Sequence, residues 1–550
     1  MLIVLARVGT RIMAVRVSDH DGALGIEYVD DLAAFVRAEE RTHPRWVWDD
    51  TSRWYPELLA AGVRVERCFD LRMCHTIIRL SALTATSALA TAPPGPWDEA
   101  PPMAPVASAP DAALFDLDDA SAPNTEPDPL AEFTLQRAAV AASAEPGRIG
   151  RLLAAESAGA LVAAEMRFAG LPWRADAHDA ILTSILGERP AVDGVRPPKL
   201  QEKLDELRVL LEAPELNPDS PADLLKALGN AGLQVTSTRS WELKRLKHPA
   251  IPPLLEYKKL ARLLSANGWH WLDTWVQGGR FRPDYVPGGV VTGRWATSGG
   301  GALQLPKQIR GAVIADAGWK LVVADAAQLE PRILAAMSGD RAMVEAGAAG
   351  DLYAGIVASG AVRTRDQAKV AMLGAMYGAT TGESGRLMPS LARAYPRAIG
   401  MVEDAARAGE RGDTVTTRLG RSSPPGRPAG YDESASEAEI TRARERGRGW
   451  GRFTRNFIVQ GTAAEWALCW MASIRRRLTA LDPALWLTDA PHLVFFLHDE
   501  IVVHAPAALA DRVAAEVAEA AAEAGRLLFG DLPVTFPLTI AIVDDYGSAK

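Results

Sequence analysis

Cysteine is scarce in this chain of 550 residues: only Cys68, Cys74 and Cys469 are present. Their spacing matches no metal-ligand pattern and they are too few for a disulfide framework, which excludes a zinc site and predicts a reducing cytoplasm. The chain also lacks any run of about eighteen charge-free apolar residues, the length that a membrane-spanning helix needs. Its first residues alternate like strands, include arginines and contain no small-residue cleavage site, so we expect folded strands rather than a signal peptide.

A basic excess, which is common in proteins that bind nucleic acids, is missing as well, because the formal net charge is -8. The excess negative charge is confined to one segment. Residues 91–130 contain eight acidic residues, ten prolines and no Lys or Arg, a composition that buries too little apolar surface to fold and predicts a flexible linker. The rest of the chain is neutral, so net charge does not exclude DNA binding and local basic clusters must decide it.

The pattern of apolar residues divides the chain further. Residues 1–90 alternate short strand-like and helix-like runs, which predicts a small α/β domain. From residue 131 onward the pattern is mainly helical, with strand signals at Lys320–Asp325, His492–Leu497, Ile501–His504 and Leu538–Val543. An α+β architecture of two or more domains follows.

The first strand signal with a chemical implication lies in KLVVADAAQLEPRILAAMSGD, residues 320–340. A β-branched strand ends at Asp325, and a helix-like pattern follows from about Gln328. A carboxylate at a strand end suits a hard cation such as Mg²⁺. The alternative is that Asp325 is an ordinary cap or turn residue.

The second lies in HLVFFLHDEIVVHA, residues 492–505, where two apolar runs flank His498, Asp499 and Glu500. This is the layout of a hairpin with acids at its turn, and such acids are commonly no more than solvated. If the fold brings Asp499 close to Asp325, the two carboxylates could hold two divalent ions roughly 3.5–4 Å apart and support phosphoryl transfer.

A third motif, RTRDQAKVAMLGAMYGATTG at residues 363–382, places Arg365, Lys369, Leu373 and Tyr377 at intervals of four. On a helix they form one stripe. Two cations at this spacing repel each other by about 0.2–0.5 kcal/mol unless an anion lies between them, and a triphosphate is such an anion. A solvated helix face is the alternative.

A fourth motif, GRFTRNFIVQGTAAEW at residues 451–466, places Arg452, Asn456 and Gln460 on one helix face. The segment Thr441–Arg455 carries six arginines against one glutamate, a local basic patch. Side chains of these types can donate to the acceptors that the minor groove presents at every base pair.

The order and spacing of these motifs resemble those of family A DNA polymerases, in which the polymerase motifs A, B and C occur in the same order. The motifs are D-x-x-Q-x-E-x-R at Asp325 to Arg332, R-x-x-x-K-x-x-x-x-x-x-x-Y-G at Arg365 to Gly378, R-x-x-x-N-x-x-x-Q-G-T at Arg452 to Thr462, and H-D-E at 498–500. Upstream, LNPDSPADLLKAL (216–228), LLEYKKLARL (254–263) and TGRW…LQLP (292–306) resemble that family's thumb and palm entry. The resemblance covers roughly residues 131–550.

It implies a right-hand polymerase fold over 131–550, with a thumb at about 200–280, fingers at about 338–445 and the palm in the remainder. The implied reaction is DNA-directed transfer of deoxynucleotides to a primer 3′-hydroxyl with release of pyrophosphate, in DNA replication or repair. Two Mg²⁺ ions, for which Mn²⁺ can substitute, would serve as cofactors. Primer–template DNA and dNTPs would be the partners of a monomeric, cytoplasmic enzyme.

Roles follow residue by residue. Asp325 and Asp499 would bind the metals, and Glu500 and Lys369 would complete the catalytic set. Glu330 would be the steric gate against a ribose 2′-hydroxyl. The other nucleotide contacts would come from Gln328, Arg365, Lys369, Leu373 and Tyr377. DNA would contact Arg294, Gln304, Arg452, Asn456, Gln460 and His498, and in the thumb Lys244, Arg245, Lys247, Lys258, Lys259 and Arg262.

The chain departs from the family pattern at several positions. The family usually has an aromatic residue at position 373 and a histidine at 353, where this chain has Leu373 and Tyr353. Ala326-Ala327 replaces a common Tyr-Ser, Pro331 follows Glu330, and the stretch from 304 to 315 is several residues shorter than usual. These departures affect fidelity, sugar discrimination and rate rather than the reaction itself.

Residues 46–80 faintly resemble the proofreading 3′–5′ exonuclease domain of an RNase H-like fold that precedes such polymerases. That active site needs several carboxylates, including a D-x-E on its first strand, yet residues 1–18 contain no acid and an expected metal-binding aspartate aligns with Trp54. Residues 1–90 are therefore interpreted as a degenerate exonuclease-like domain.

Three rival functions stay open at this point. A bifunctional exonuclease–polymerase is possible if other acids substitute for the missing ones. A single-subunit phage-type RNA polymerase shares the Arg365, Lys369 and Tyr377 helix, but Glu330, the H-D-E triplet and the lack of a promoter-binding domain argue against it. A catalytically dead DNA-binding protein is disfavoured because both aspartates and both cations are present.

Overall fold

A computed structural model describes residues 1–18, 23–99, 127–192, 194–379, 382–426 and 436–549. The chain divides into two compact units. Unit 1 comprises Met1–Ala169, Asp284–Ser298 and Val322–Ile542, and unit 2 comprises Gly170–Pro283, Gly299–Leu321 and Val543–Lys550. Among the helices of the described ranges, none has the length and apolar character needed to span a membrane.

The N-terminal part of unit 1 is a mixed α/β sheet. Its strands are β1 (Leu2–Val8), β2 (Arg11–Val17), β3 (Ala23–Val29), β4 (Arg45–Trp48) and β5 (Cys68–Asp70). They are ordered β3-β2-β1-β4-β5, antiparallel from β3 to β1 and parallel from β1 to β5. The helices are α1 (Leu32–Glu39), α2 (Thr51–Ala60), α3 (Leu71–Leu80), α4 (Ala88–Thr91), α5 (Pro129–Ala141) and α6 (Pro146–Ala169). The α/β character predicted for residues 1–90 is confirmed.

This sheet is anchored to the rest of unit 1 by a buried ion-pair network. Glu165 of α6 accepts hydrogen bonds from Arg475 Nη2 at 2.7 Å, from Arg64 Nε at 2.8 Å and from the hydroxyl of Tyr55 at 2.6 Å. Although burial opposes ionisation, the two guanidinium groups hold the pKa of Glu165 well below its usual range. A buried charge with several donors is costly to disrupt, so the network fixes the sheet in place.

Only part of the predicted linker falls on described residues. Trp97 stacks with His75 at a centroid distance of 6.4 Å, and Asp98 pairs with Arg79 Nε at 2.6 Å. At the other end α5 already begins at Pro129, capped by Asp128. The intervening residues 100–126 lie outside the described residues. The domain boundaries therefore stay a prediction.

Unit 2 is mainly helical. Its elements are β6 (Leu171–Pro172), α7 (Ala175–Leu186), α8 (Pro198–Leu210), α9 (Pro221–Asn230), α10 (Ser240–Leu243), α11 (Ile251–Asn267), α12 (Trp269–Trp275), β7 (Val276–Gln277) and β8 (Arg280–Phe281). The three short strands form a sheet of order β6-β8-β7. An aromatic cluster of Trp173, Trp271 and Phe281, with centroids 5.0–5.7 Å apart, joins this sheet to α12.

The remaining elements build the centre of unit 1. They are β9 (Asp284–Val286), β10 (Ala296–Gly299), β11 (Trp319–Ala326), α13 (Leu329–Ser338), α14 (Arg341–Ala348), α15 (Leu352–Ala358), α16 (Arg365–Tyr377), α17 (Gly382–Ala394), α18 (Pro396–Arg411), α19 (Glu437–Leu481), β12 (His492–Leu497), β13 (Glu500–Pro506), α20 (Ala510–Phe529) and β14 (Leu538–Val543). A central sheet of order β12-β13-β11-β14 results. The strands and the hairpin predicted from the apolar runs are confirmed.

Burial explains why β12 and β13 have continuous apolar runs rather than an alternating pattern. Every residue of β12 except Leu497 is buried, as is every residue of β13 except Pro506. Helices α6 and α19 contact β12, and α20 contacts β13. The long helix α19 spans 45 residues and begins with a capping box in which Ser436 and Glu439 satisfy each other's backbone N–H groups. It connects the apolar core to an exposed arginine-rich end.

Candidate active site

Asp325 and Asp499 lie next to each other on the central sheet. Asp325 is the penultimate residue of β11, and Asp499 follows β12 in the turn that leads into β13, the neighbour of β11. The N–H of Ala326 donates to the carbonyl oxygen of Asp499 at 2.8 Å. This bond holds the two carboxylate-bearing segments together across 174 residues of sequence.

The hairpin turn owes its shape to His498, whose φ of 61° lies in the left-handed region. Histidine tolerates this region better than β-branched residues do. Leu497 pairs directly with Glu500, so only His498 and Asp499 form the loop. The interpretation that placed all three polar residues at the turn is therefore corrected: Glu500 begins β13 and is 3% exposed.

The surroundings of Asp499 disfavour the ionised form of its carboxylate. Burial raises its pKa to about 6, and the negative charge of Asp325 adds to that effect, while Arg294 partly opposes it. Such a pair favours a bound divalent cation, which would stabilise both ionised carboxylates. Within the described ranges no cluster of three or more His, Cys, Asp or Glu side chains could hold a metal ion. A cation here would depend on few protein ligands, as Mg²⁺ sites that also use substrate phosphates do.

Glu330, in the first turn of α13, joins two other predicted site residues. Its carboxylate forms an ion pair with Arg294 Nη2 and accepts a hydrogen bond from the hydroxyl of Tyr377 at 2.8 Å. Burial first, and then the charge of Glu330, raise the pKa of Tyr377 to about 12, so the hydroxyl stays protonated and remains a donor. Glu330 is thus held from both sides.

The stripe predicted on α16 is present. Thr364 caps the helix by accepting the N–H of Gln367 at 3.2 Å, and Gly378 ends it with a φ of 74°. Arg365, Lys369, Leu373 and Tyr377 are exposed, whereas the opposite face, formed by Ala368, Ala371, Met372, Ala375 and Met376, is buried. The helix therefore packs by its apolar face and presents both cations outward.

A cavity of about 270 Å³ connects these elements. Its polar lining includes Arg294, Glu330, His498 and Asp499, and Leu373 of α16 also lines it. Partial burial, and secondarily Arg294, lower the pKa of His498, so its ring is neutral at physiological pH. The apolar part of the lining includes Trp295, Ala463, Ala464, Ala467, Leu468, Met471 and Phe496. A mainly apolar lining with a few polar groups is typical of a small-molecule site.

The polar face predicted on α19 consists of Arg452, Asn456 and Gln460. Arg452 lies against the end of α16, because a Cβ added at Gly378 would come within 2.8 Å of its Cγ. Gln460 accepts a hydrogen bond from the Thr292 hydroxyl at 2.9 Å. The side-chain oxygen of Asn456 is buried and has no hydrogen-bond partner among the described residues.

Seven predicted DNA contacts belong to unit 2, namely Lys244, Arg245, Lys247, Lys258, Lys259, Arg262 and Gln304. Gln304 ends a 3₁₀ helix that spans Ala302–Gln304. Lys258 and Lys259 lie on α11, where Lys258 donates to Thr238 Oγ1 at 3.2 Å and Lys259 is 59% exposed in its side chain. These residues stay predictions.

Two structurally important residues escaped the sequence reasoning. Arg332, 1% exposed, donates to the carbonyl oxygens of Ala327, Gly347, Gly350 and Thr535 and so fixes the chain on either side of α13 and α14. Burial lowers its pKa, although arginine remains charged. The D-x-x-Q-x-E-x-R motif includes this arginine but gives no indication of its partners.

The second is Tyr285 in β9. Its hydroxyl donates to the carbonyl oxygen of Phe496 at 2.6 Å and accepts that residue's N–H at 3.0 Å. The register of β12 shifts between Leu493 and Phe495, just before this contact. Tyr285 therefore satisfies backbone groups near the hairpin turn, and an isolated tyrosine in a short strand carries no sequence signal for such a role.

The carboxylates of the N-terminal sheet have structural roles. Asp50 caps α2 and Asp70 caps α3. Asp49 pairs with Arg53 and accepts a hydrogen bond from Trp54 Nε1 at 2.5 Å. Each of these acids, at the carboxyl ends of β4 and β5, is thus engaged by the fold itself.

A model of the family described as DNA polymerase family A matches residues 198–546. The thermostable DNA polymerase I of Thermus thermophilus is 28% identical over 362 residues, which are 59% of this chain and 40% of the relative. DNA polymerase I of Chloroflexus aurantiacus is 27% identical over 319 residues, 52% of this chain and 31% of the relative. The chain therefore matches less than half the length of these curated relatives.

The fold also resembles a solved structure. The POL domain of Pol1 from M. smegmatis, in complex with DNA primer-template and dNTP, gives a TM-score of 0.69 at 17% sequence identity, covering 100% of this chain and 95% of that chain. At this identity the likeness concerns the fold alone. It extends to the N-terminal mixed sheet as well as to the central one.

Proposed function

The chain belongs to DNA polymerase family A, and on that premise we propose that it is a DNA-directed DNA polymerase, which adds deoxynucleotides to a primer 3′-hydroxyl and releases pyrophosphate. One observation supports this most strongly. Asp325 and Asp499, 174 residues apart in sequence, adjoin on the central sheet. Asp499 lines a cavity together with Glu330 and with Leu373 of α16, the helix that exposes Arg365 and Lys369. A binding protein without catalysis has no need of a carboxylate pair whose mutual repulsion is costly.

Asp325 and Asp499 are the proposed ligands of the Mg²⁺ ions, with Mn²⁺ as a substitute. The raised pKa of Asp499 beside Asp325 fits a site built for positive charge. When bound, divalent ions would activate the attacking hydroxyl and stabilise the charge of the leaving phosphate. The protein's own part is to hold the two carboxylate-bearing segments in register through the Ala326 N–H. Glu500, buried at the start of β13, is proposed to complete the catalytic set beside them.

The incoming nucleotide is proposed to bind along α16. Arg365 and Lys369 face the triphosphate as fixed positive charges, which act where negative charge develops during transfer. Tyr377 and Leu373 pack near the base and sugar, and Leu373, 36% exposed, lines the cavity instead of the helix core. Glu330, held by Arg294 and Tyr377, limits the space beside the sugar. Gln328 takes part indirectly, through the start of α13.

Primer–template DNA is proposed as the macromolecular partner. Arg452, Asn456 and Gln460 of α19 and His498 and Arg294 in the cavity lining supply donors for the minor groove, which can be contacted without reading sequence. In unit 2, Gln304 is proposed to line the primer–template, and Lys258 and Lys259 are proposed to contact its phosphates. That the related POL domain was solved with primer-template and dNTP supports it.

The N-terminal sheet is proposed to be a degenerate exonuclease-like domain without proofreading activity. Its first strand carries no acid, and Arg7 of β1 stacks its guanidinium over the Trp54 ring at 4.6 Å, where two metal ions would need negative charge. Asp49, Asp50 and Asp70 serve as caps and ion-pair partners. Its proposed role is structural, through the Glu165 network. A monomeric state and a cytoplasmic location stay predictions.

A template-directed extension assay tests the activity. A labelled primer annealed to a template with a defined next base is incubated with the protein, Mg²⁺ and each dNTP singly. The proposal expects one-nucleotide extension with the complementary dNTP and at least about a tenfold preference over the other three. Extension that ignores the template base, or that requires ribonucleotides, would contradict the proposal and favour a terminal transferase or an RNA polymerase.

A further inference from the structure

Asp351, to which neither the motifs nor the family resemblance assigned a role, occupies the N-cap of α15. Its Oδ1 accepts the backbone N–H groups of Tyr353 at 3.0 Å and Ala354 at 3.2 Å. The same oxygen accepts a hydrogen bond from Gln328 Nε2 at 2.8 Å. The position of this carboxylate is therefore fixed by three donors on two segments.

Gln328 strengthens the connection from its own side. Its Oε1 accepts the N–H of Leu352 at 2.9 Å, so the Gln328 amide and the start of α15 exchange two hydrogen bonds. Gln328 occupies the N-cap position of α13, only three residues after Asp325. The strand end that carries Asp325 is thus connected to Asp351 by a short chain of hydrogen bonds.

The other oxygen of Asp351 contacts Arg365. Oδ2 accepts from Arg365 Nε at 2.8 Å, and the guanidinium lies over the Tyr353 ring, 5.5 Å from its centroid. Among the described residues, neither Nη1 nor Nη2 of Arg365 has a hydrogen-bond partner. One edge and one face of the guanidinium are therefore held by the protein, while its two terminal amino groups stay available.

We propose that Asp351 is a positioning residue that orients Arg365 for the triphosphate of the incoming nucleotide. Held by Gln328 and by the N-cap of α15, it grips Arg365 through Nε. Nη1 and Nη2 then form a fork that can bind two phosphate oxygens at once. Tyr353, at the position where the family usually has histidine, supplies the ring that supports the guanidinium from below. This inference rests on the proposed polymerase function.

The contact is too exposed to serve mainly for stability. The side chains of Arg365 and Asp351 are 56% and 40% exposed, and ion pairs in such positions contribute little to folding. The ion pair instead orients Arg365. A long arginine side chain that is fixed before the substrate arrives loses less conformational freedom on binding. The opposite possibility, that Asp351 competes with the triphosphate for Arg365, makes the reverse prediction for nucleotide affinity.

Asp351→Asn separates these roles. The amide oxygen of Asn still accepts from Gln328 and from the Tyr353 and Ala354 N–H groups, and Asn is as good an N-cap as Asp. Its NH₂ group, however, cannot accept from Arg365 Nε. The variant should therefore fold normally, with Tm within about 2 °C of wild type. A matched control is Asp31→Asn, which changes the N-cap of α1 in the N-terminal sheet.

Single-nucleotide kinetics with the complementary dNTP should show KM raised about tenfold in Asp351→Asn, with kcat within about twofold. Equilibrium binding of the same dNTP to protein on a dideoxy-terminated primer–template should weaken equally. In an Arg365→Lys background, which lacks Nε, Asp351→Asn should add less than about a twofold change. Tyr353→Leu should raise KM more than Tyr353→Phe, because only the Leu variant removes the ring under the guanidinium.

An unchanged KM in Asp351→Asn, with wild-type protein active, would overturn the inference, and a lowered KM would identify Asp351 as a competitor instead. Equal effects of Asp351→Asn in the wild-type and Arg365→Lys backgrounds would also overturn it. A wild-type protein that extends no primer would refute the proposed function, and the binding measurement would still distinguish the two roles of Asp351.

Discussion

Replacing Asp499 with Asn should make the metal-free protein more stable while removing its activity. The carboxylate of Asp499 is partly buried beside that of Asp325, which raises its pKa from the ordinary value of 3.8 to about 6. Keeping this group ionised therefore costs folding free energy. An amide of the same shape carries no charge and avoids the cost, but it is a poor ligand for Mg²⁺.

The size and pH range of the effect follow from that shift. A difference of about two pH units corresponds to about 3 kcal/mol, and partial exposure reduces the expected gain to about 1–3 kcal/mol. The folded protein holds the proton up to about pH 6, whereas the unfolded chain releases it near 3.8. The free energy of unfolding of wild type should thus fall as the pH rises from about 4 to 6, and Asp499→Asn should be the more stable protein above about pH 6.

Thermal unfolding in EDTA at about pH 5 and pH 8 measures this difference. The variant should exceed wild type in Tm at about pH 8, and the gap should narrow at about pH 5. Adding Mg²⁺ at the higher pH should raise the Tm of wild type but not of Asp499→Asn. Asp340→Asn is the control, because the Asp340 carboxylate accepts backbone N–H groups of Met343, Arg397 and Ala398 and has no repulsion to relieve. A destabilised Asp499→Asn protein at about pH 8 would refute the reasoning.

Two further predictions concern sugar selectivity, and a third concerns proofreading. Glu330→Ala should raise rNTP incorporation relative to dNTP by about tenfold or more in single-nucleotide kinetics. The reason is that it removes the side chain that Arg294 and Tyr377 hold in place. An unchanged ratio would mean that another residue is the steric gate. Leu373→Phe should alter the ratio of kcat/KM for dTTP and ddTTP by about tenfold, since position 373 lines the cavity, and a ratio constant within about twofold would contradict a sugar-facing role. A mismatched, end-labelled primer incubated with Mg²⁺ and no nucleotides should stay full length, and shortening that copurifies with the protein would indicate that residues 1–99 retain exonuclease activity.

The helix α16 could be predicted from sequence because all its determinants are local. Its charged and aromatic residues recur every four positions, Thr364 provides the cap and Gly378 the left-handed end. The central hairpin was predictable for the same reason, since two apolar runs flank a short polar turn. Periodicity and local turn chemistry determine such elements before any tertiary contact forms.

The exact residues of the hairpin turn could not be predicted from such local patterns. A triplet of polar residues between two strands does not reveal which of them leave the ladder. The left-handed φ of His498 ends the loop one residue earlier than expected and turns Glu500 into a buried strand residue. One residue of register decides between a solvated and a buried carboxylate.

The contacts that hold the site together were invisible for a different reason. Asp351 lies 23 residues from Gln328 and 14 from Arg365, and Tyr285 lies 211 residues from Phe496. In sequence Asp351 looks like any helix-capping aspartate, and nothing in its neighbourhood indicates a second role for Oδ2. Side-chain contacts between separate elements depend on packing, which a single sequence does not encode in any local pattern.

Single-turnover primer extension by wild type, Asp325→Asn and Asp499→Asn tests the central claim most directly. Each protein is premixed with labelled primer–template, then mixed with the complementary dNTP and Mg²⁺, and DNA affinity is measured separately. If the carboxylate pair is the catalytic centre, each variant should lose roughly a thousandfold in the rate of extension, about 4 kcal/mol of transition-state stabilisation. The DNA affinity of each variant should stay within about threefold of wild type. Near-wild-type extension by either variant would contradict the assignment of this pair as the catalytic centre.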